Sequence, residues 1–265
     1  MKKLTTGAIA VALIGTPALA ADIAVPAPTY YPKSLPPAIY DWTGIYVGFH
    51  VGGGILTDSV SQNGVSSVGN LTSSGNLRPA GVIGGVQAGA NYEFAPWVVG
   101  VEGSWTDSAI QGNTLISCSG CAVGSTPIPV SQERFTSQAQ WFAALTGRFG
   151  YAANDWLFYG KAGGAWVHAR YTEDLLAAGS AGVATGTTVA TQVLSDNRAG
   201  FTVGAGIEFG LVENLSAKVE YDFYDFGTKN YNFSAITPVS VRSNMHTLTA
   251  GLNYKFNWPS GGPKP

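Results

Sequence analysis

The sequence predicts an all-β fold: an eight-stranded antiparallel transmembrane β-barrel with short periplasmic turns and long extracellular loops. Three observations predict it. Apolar and polar residues alternate along eight segments, the breaks between these segments are short and long in turn, and aromatic residues gather beside the short breaks. An even number of strands with long loops on one side only is typical of outer-membrane barrels.

The composition excludes several other classes of protein. The 265 residues include 35 glycines, and 45% of them are hydrophobic but only 11% are charged, against about 25% charged residues in ordinary globular domains. The formal net charge is −2 and the basic residues form no cluster, so the chain offers nucleic acid no basic surface. This composition disfavours a disordered chain, a typical cytosolic enzyme and a nucleic-acid partner.

Residues 1–20 have the organisation of a secretory signal peptide. Two lysines precede an apolar run at 4–15, and a small-x-small site ends at Ala20, so we expect export with cleavage after Ala20. The alternative is an anchor helix, but the run is shorter than the ~18 apolar residues that a spanning helix needs. No later run reaches that length, and membrane insertion must therefore use strands.

Two further segments flank the predicted barrel, which occupies residues 41–256. Residues 21–40 hold five of the 14 prolines, which predicts an extended periplasmic segment because proline cannot donate to a strand ladder. A contact with the cell wall or a partner is the alternative for this segment. Residues 257–265 are rich in proline and glycine and are predicted to form a flexible periplasmic tail.

The eight alternating segments are the predicted strands, and the first shows the pattern. Ile45 and Val47 share one face, whereas Tyr46 and Gly48 share the other. The predicted strands are 43–55, 80–94, 97–106, 135–151, 156–172, 198–211, 215–226 and 242–256. Tight turns at 95–96, 153–155 and 212–214 alternate with long polar connections at 58–79, 107–134, 174–197 and 227–241. Strands of about ten residues match a tilted crossing of the lipid.

The two faces of these strands differ in charge. One face is almost wholly apolar or aromatic, and the other carries the charged residues Glu93, Glu102, Arg148, Lys161, Glu208, Lys218, Glu220 and Lys255. A soluble barrel would turn the apolar face inward, whereas a barrel in lipid must turn the charges inward, where four acids and four bases can pair. Because eight strands enclose a space that side chains just fill, we predict an ion-pair network in the lumen.

The aromatic residues favour the membrane barrel over the soluble one. Ten of them lie on the apolar face beside the tight turns or the last strand: Tyr92, Phe94, Trp97, Phe149, Tyr151, Trp156, Phe158, Phe209, Tyr254 and Phe256. Such a set is typical of the aromatic belt at a membrane interface. Exposed to water, it would be an aggregation hazard.

Three stretches carry a resemblance to a known family: "YDWTGIYVG" (Tyr40–Gly48), "VEYDFYDFG" (Val219–Gly227) and "AGLNYKF" (Ala250–Phe256). Here the chain resembles the small outer-membrane β-barrel proteins of α-proteobacteria, the group 3 major outer-membrane proteins, which are called a porin family and are related to the OmpA-type barrel. The resemblance implies a Gram-negative outer membrane, association with lipopolysaccharide, and roles in envelope integrity and surface antigenicity. It also implies haem binding in some members, and recognition of Phe256 by the barrel-assembly machinery during insertion.

Other candidate chemistry is sparse. Cys118 and Cys121 form a C-x-x-C in the second long connection, and we expect a small structural disulfide in an oxidising compartment. Redox catalysis would need a helix context and a metal site would need further ligands. His50 has inward parity, and His168 and His246 have outward parity near the long connections, where interface positions or contacts to phosphate or haem are the alternatives.

The strands also end in arginines on the long-connection side: Arg78, Arg134, Arg170, Arg198 and Arg242. Arginine suits phosphate groups, and simple marking of the membrane boundary is the alternative. No nucleophile and base lie at a spacing typical of a hydrolase, so we predict no enzyme activity and no cofactor.

Three functions are compatible with this barrel. The first is a structural surface protein that contributes to envelope integrity, with a lumen plugged by ion pairs. The second is a small-solute channel, and the third is a binding protein for haem or a host ligand that acts through the loops. The strand count favours the first, because a water-filled pore generally needs about 16 strands. The predicted partners are outer-membrane lipid and lipopolysaccharide.

Overall fold

The computed structural model describes residues 40–66, 69–123, 128–177, 184–231 and 239–256. The predicted signal peptide, the Pro-rich segment as far as residue 39, and the predicted tail at 257–265 lie outside these ranges. Among the described residues, no helix is long and apolar enough to span a membrane.

Nine β-strand segments make up the described structure. They are β1 (Gly44–Ser66), β2 (Gly69–Leu77), β3 (Ala80–Phe94), β4 (Trp97–Val123), β5 (Ile128–Ala153), β6 (Trp156–Ala177), β7 (Thr188–Val212), β8 (Leu215–Tyr231) and β9 (Val239–Phe256). From β3 onward each strand pairs antiparallel with the next along the chain, and β1 pairs with both β3 and β9. The sheet is thereby closed into a ring.

The nine segments occupy eight positions in the ring, because β2 and β3 follow one another along the same neighbour, β1. Arg78 and Pro79 separate them. Pro79 has no N–H to donate to the ladder, but its carbonyl still accepts a bond of 2.8 Å from the Leu56 N–H. The predicted eight-stranded antiparallel barrel is confirmed.

The three tight turns lie at one end of the barrel and connect β3 to β4, β5 to β6, and β7 to β8. Asn154 in the second turn has φ of 56°, a left-handed conformation that asparagine tolerates better than most residues. At the other end the strands run much further than their apolar patterns. β4 reaches Val123 and β5 begins at Ile128, so most of the connection at 107–134 is an extended hairpin rather than an irregular loop.

The alternation of polarity inverts along each long strand, and β6 shows the inversion. Near the turn the exposed side chains are apolar, as at Phe158 and Trp166, while Lys161 is buried. Further along, Arg170 is exposed and Tyr171 is buried inside. The outer face of a barrel meets lipid and then water, so apolar residues point outward below the boundary and inward above it. A search for a continuous apolar outer face stops at this boundary, which explains why the upper strands resembled loops in the sequence.

The position of the boundary can be tested with two valines on the outer face of β7. Val203 is 44% exposed within the apolar girdle, and Val193 is 50% exposed above it. We expect Val203→Arg to lower the free energy of unfolding by about 2–4 kcal/mol, since it places a charge deep in lipid. The matched variant Val193→Arg should change it by less than ~0.5 kcal/mol. Denaturant titration in phospholipid vesicles measures both, and equal effects would contradict this boundary.

Candidate functional site: the barrel lumen

Six of the eight charged residues predicted for the lumen meet in one cluster at the centre of the barrel. They are Glu102, Arg148, Lys161, Glu208, Lys218 and Glu220, each at most 7% exposed. They come from five consecutive strands, β4 to β8, whose inward-facing positions carry them to the same level. We refer to these six residues with Asp222 as the central cluster.

Glu102 is the hub of the central cluster. Its carboxylate lies 3.2 Å from Lys218 Nζ, 3.5 Å from Lys161 Nζ and 3.6 Å from the nearest nitrogen of Arg148. The Tyr46 hydroxyl also donates to it at 2.9 Å. One carboxylate thus faces three cations, and none of these four charged groups forms an exclusive one-to-one pair.

Arg148 links the hub to the opposite wall. Its guanidinium donates to Glu208 at 2.8 Å and to the Tyr46 hydroxyl at 2.6 Å. The Cζ atom lies 3.9 Å from the centre of the Tyr159 ring, a distance at which a cation is attracted to the ring face. The guanidinium is therefore held by a carboxylate, a hydroxyl and an aromatic ring together.

The sequence interpretation omitted Asp222 from the lumen charges. This residue follows Glu220 at the next inward position of β8, and its carboxylate lies 3.2 Å from Lys161 Nζ. Lys161 also contacts Glu220 at 2.6 Å. The inward parity of β8 was the signal that could have included Asp222. With it, four carboxylates (Glu102, Glu208, Glu220, Asp222) face three cations (Arg148, Lys161, Lys218), so the pairing is shared rather than one to one.

A chain of hydrogen bonds extends from the cluster toward β1. Asn253 Nδ2 donates to Glu208 at 2.7 Å, and Gln87 Nε2 donates to Asn253 Oδ1 at 2.8 Å. Gln87 Oε1 lies 2.6 Å from His50 Nδ1, and His50 Nε2 lies 2.9 Å from the Thr106 hydroxyl. Because a carboxylate only accepts, it orients both amides, and His50 must donate through Nδ1.

Glu93 and Lys255 do not join the central cluster, which differs from the prediction. Both lie at the turn end of the barrel, where they hold the segment that precedes β1. The backbone N–H of Trp42 donates to the Glu93 carboxylate at 2.8 Å. Lys255 Nζ donates to the Asp41 backbone carbonyl and lies 4.6 Å from the centre of the Tyr40 ring. Sequence parity gave their inward direction but not their depth along the barrel axis.

Tyr40 and Trp42 close the turn end of the lumen. Trp42 is 2% exposed and packs with Tyr40, Val98, Leu157 and Tyr159. The Tyr40 N–H donates to Asp155 of the second tight turn at 3.1 Å. We call Tyr40–Trp42 the aromatic stopper.

Two apolar layers and one polar layer fill the lumen beyond the central cluster. The first apolar layer contains Leu56, Ile83, Ile110, Ala139, Phe142, Ala144, Ala165, Val167, Tyr224, Phe226 and Met245. The second contains Leu77, Phe135, Ala169, Tyr171 and Val241. Between them Asp58 accepts from Ser137 at 2.6 Å and from Ser243 at 2.5 Å, and its burial above the membrane boundary raises the pKa of its carboxyl.

Arg198 also lies in this polar layer rather than at the lipid boundary. It donates to the Ser243 hydroxyl at 2.6 Å and to the carbonyls of Gly227 and Val241 at 2.8 and 3.0 Å. The alternatives of a phosphate contact or a surface marker are therefore wrong for this arginine, which is 4% exposed. Arg242 remains on the surface, 3.1 Å from Asp225.

The outer face carries the other predicted residues. The ten aromatic residues predicted for a belt lie beside the tight turns, and nine of them are at least 41% exposed: Tyr92, Phe94, Trp97, Phe149, Tyr151, Trp156, Phe158, Tyr254 and Phe256. The tenth, Phe209, packs on Trp156 with 4.6 Å between ring centres. We infer that they form the periplasmic aromatic belt.

The two outward histidines occur at the far boundary. His168 Nδ1 lies 2.6 Å from Asn197 Oδ1 and its ring stacks on Trp141 at 5.7 Å. His246 Nδ1 lies 2.7 Å from the Tyr221 hydroxyl. In the part of the chain that the structure describes, no three or more His, Cys, Asp or Glu side chains are placed to hold a metal ion. Cys118 and Cys121 lie outside the residues whose side chains are described, so their disulfide stays a prediction.

A closed ring of antiparallel strands, an apolar girdle with charges turned inward, and a polar surface above the girdle define a transmembrane β-barrel of the outer-membrane class. Residues 6–256 match the family model described as outer membrane protein beta-barrel domain, and the chain belongs to that family. The predicted family resemblance and the outer-membrane location are confirmed.

Two relatives agree with this assignment. The 31 kDa outer-membrane immunogenic protein of Brucella melitensis is 30% identical over 261 residues, which are 97% of this chain and 100% of that protein. The 22 kDa outer membrane protein of Rhizobium leguminosarum bv. viciae is 26% identical over 213 residues, 80% and 79% of the two chains.

Solved structures with a similar arrangement include Neisserial surface protein A, which is 16% identical, with 81% of this chain and 98% of that chain covered and a TM-score of 0.38. Another is Ail, the attachment invasion locus protein of Yersinia pestis, which is 15% identical, with 80% and 99% of the chains covered and a TM-score of 0.32.

The central cluster predicts a large difference between buried and exposed arginines. Arg148→Ala removes the cation that pairs with Glu208 and one of the three cations that face Glu102, and we expect the free energy of unfolding to fall by about 3–5 kcal/mol. Arg242→Ala removes a pair whose arginine side chain is 57% exposed, so the loss should be at most ~1 kcal/mol. Denaturant titration of both refolded variants measures the difference, and similar losses would show that the cluster does not hold the barrel together.

Proposed function

We propose that this protein is a structural, non-conducting and non-catalytic barrel that contributes to the integrity of the outer membrane and presents its upper strands at the cell surface. The observation that carries the proposal is the filling of the lumen. The aromatic stopper, the central cluster, the first apolar layer, the Asp58–Arg198 layer and the second apolar layer follow one another along the axis.

The space left inside the central cluster supports a closed lumen. The cavity lined by His50, Phe142, Asp222 and neighbouring residues has a volume of about 10 Å³, which is about the room that one water needs. A solute larger than water would have to separate the ion pairs of Glu102 and Glu220. Removing one partner from a buried ion pair costs several kcal/mol, so the central cluster opposes a permanent pore.

The names of the relatives support the surface role. The Brucella relative is called an outer-membrane immunogenic protein, a name that fits strands exposed at the cell surface. The lipid and lipopolysaccharide of the outer membrane then surround the apolar girdle.

The predicted use of the barrel-assembly machinery belongs to the same proposal. Closure of the ring requires β9 to pair with β1 from Ile45↔Phe256 to Gln62↔Val239, and β9 ends at the exposed Phe256. An insertion factor that recognises this last strand would present it to β1.

Single-channel recording separates the structural barrel from the small-solute channel. We expect refolded protein in planar bilayers to show no steady conductance, because the lumen is filled at several levels. A 16-stranded porin serves as the positive control, and the heat-dependent shift in electrophoretic mobility verifies that the protein has folded. A steady, large conductance from folded protein would overturn the closed-lumen proposal.

A deletion strain tests the contribution to the envelope. We expect the strain to become more sensitive to detergent and to release more vesicles. Complementation with the Arg242→Ala variant should restore both properties, since this variant keeps the fold, whereas the Arg148→Ala variant should restore them poorly. Unchanged detergent sensitivity and vesicle release in the deletion strain would contradict a structural role.

A further inference from the structure

The ring is continuous within the girdle but divides above it. β7 and β8 pair from Val212↔Leu215 to Phe201↔Asp225. Just beyond, Gly227 has φ of 67°, its N–H bonds to Asp225 Oδ1 at 2.7 Å, and the register of β8 on β9 shifts. A left-handed residue of this kind favours glycine and bends the strand. Among the described residues beyond this level, β8 pairs only with β9 and β7 only with β6.

A second division lies on the other side of the ring. β3 and β4 pair as far as Ala80↔Gln111, and above that level β4 pairs with β5 and β2 pairs with β1. The described part of the upper structure therefore consists of two four-stranded sheets, β2-β1-β9-β8 and β4-β5-β6-β7. β2 stays next to β4, so the edges at this second division face each other.

The edge of β7 is closed at its base. Lys229 of β8 contacts Asp196 of β7 at 2.6 Å, and Arg198 reaches from β7 to the Gly227 carbonyl. Above Asp196, the segment Thr188–Ser195 continues as strand with β6 as its neighbour. Alternate residues of such an edge strand direct their N–H and C=O groups away from that single neighbour.

The sequence of this segment lacks the charged residues and prolines that commonly protect an edge, and its one irregularity is a register shift on β6 at Val189, between Leu175↔Ala190 and Leu176↔Thr188. Thr188–Ser195 reads TVATQVLS, with no proline and no charged residue, although lysine, proline and inward charges are the usual protection. Four of its residues, Thr188, Val189, Thr191 and Val193, are β-branched, a composition that favours strand pairing. Val193 is 50% exposed, so its outer face is accessible as well.

We propose that the upper edge of β7, from Thr188 to Ser195, binds an extended peptide segment of another protein by β-strand addition. The backbone groups of the edge form the ladder, and the uncharged side chains of the segment accept a strand of the same kind as residues 169–176 of β6, which pair with its other edge. The site lies above the girdle, on the side of the barrel that faces the exterior of the cell.

Geometry favours a foreign peptide over a second copy of this chain. Copies in one membrane are related by rotation about the membrane normal, and barrel strands tilt by about 35–45° from the barrel axis. The β7 strands of two such copies would therefore cross at about 70–90° where they met, which prevents a ladder. A segment of a separate protein approaches without this restriction.

The test uses full-length mature protein refolded into phosphatidylcholine nanodiscs and a fluorescent peptide that copies residues 169–176. This stretch of β6 is the strand that already pairs with the segment on its other edge. Two further versions of the peptide carry N-methyl groups on alternate backbone amides, one on the even and one on the odd positions. Only one version blocks the side that meets the protein, while the side chains are the same in all three.

We expect saturable binding of the unmodified peptide by fluorescence anisotropy. One methylated version should bind at least about tenfold more weakly, because several ladder bonds are lost, and the other should bind within about twofold. Hydrogen exchange should slow on binding at the amides of Thr188–Ser195.

Three outcomes would overturn the proposal: no binding of the unmodified peptide, equal sensitivity to both methylation patterns, or slowed exchange elsewhere in the barrel. Slow exchange along the whole segment before the peptide is added would show that other residues of this chain cover the edge, which also overturns it. The electrophoretic mobility shift verifies folding in each experiment, and the result does not depend on whether the lumen conducts.

Discussion

The pairing of β1 with β9 is the constraint on which the rest of the barrel depends. In lipid an unpaired backbone N–H or C=O costs several kcal/mol, so the sheet has to close, and eight strands close into a ring with a narrow interior. The small radius brings opposite walls together. Glu102 on β4 and Lys218 on β8, for example, are four positions apart in the eight-position ring, and yet the Glu102 carboxylate lies 3.2 Å from Lys218 Nζ. Narrowness is therefore the reason why so small a number of side chains can fill the lumen.

The narrow interior also explains the form of the central cluster. Charges cannot face lipid, and in so small a space each one lies within reach of several others, as Glu102 does with Lys161, Lys218 and Arg148. Tyr46 and Tyr159 serve the same arrangement, since a hydroxyl and a ring face satisfy parts of the Arg148 guanidinium that carboxylates do not reach. Because each charge is shared, the removal of one side chain weakens the interactions of several others. The same shared pairing opposes the passage of solutes through the lumen.

The sequence predicted those features that depend on parity and chain order alone. The inward direction of Glu102 and Lys161 and the outward direction of Phe158 follow from alternation, and strand order follows from the tight turns. Depth along the axis does not follow, which is why Glu93 and Lys255 were grouped with charges that they do not meet. Arg198 was misplaced for a related reason. Above the girdle, water replaces lipid outside the barrel, and apolar side chains turn inward. Arg198 has inward parity like Lys161, but it therefore lies between the two apolar layers rather than in the central cluster. The extended strands beyond the boundary were missed because the apolar residues there face inward, whereas the sequence search looked for an apolar outer face.

This inversion of the apolar and polar faces fixes the depth of the protein in its membrane. Each long strand carries its own marker, such as the passage from Trp166 to Arg170 on the outer face of β6. A vertical displacement of the barrel by a few ångströms would draw polar side chains into lipid on several strands at once, or lift aromatic rings into water. Displacement in either direction therefore raises the free energy, so one depth in the membrane is favoured. The height at which the upper strands stand above the lipid is thus determined by the amino-acid sequence of the wall, independently of whatever the strands meet outside.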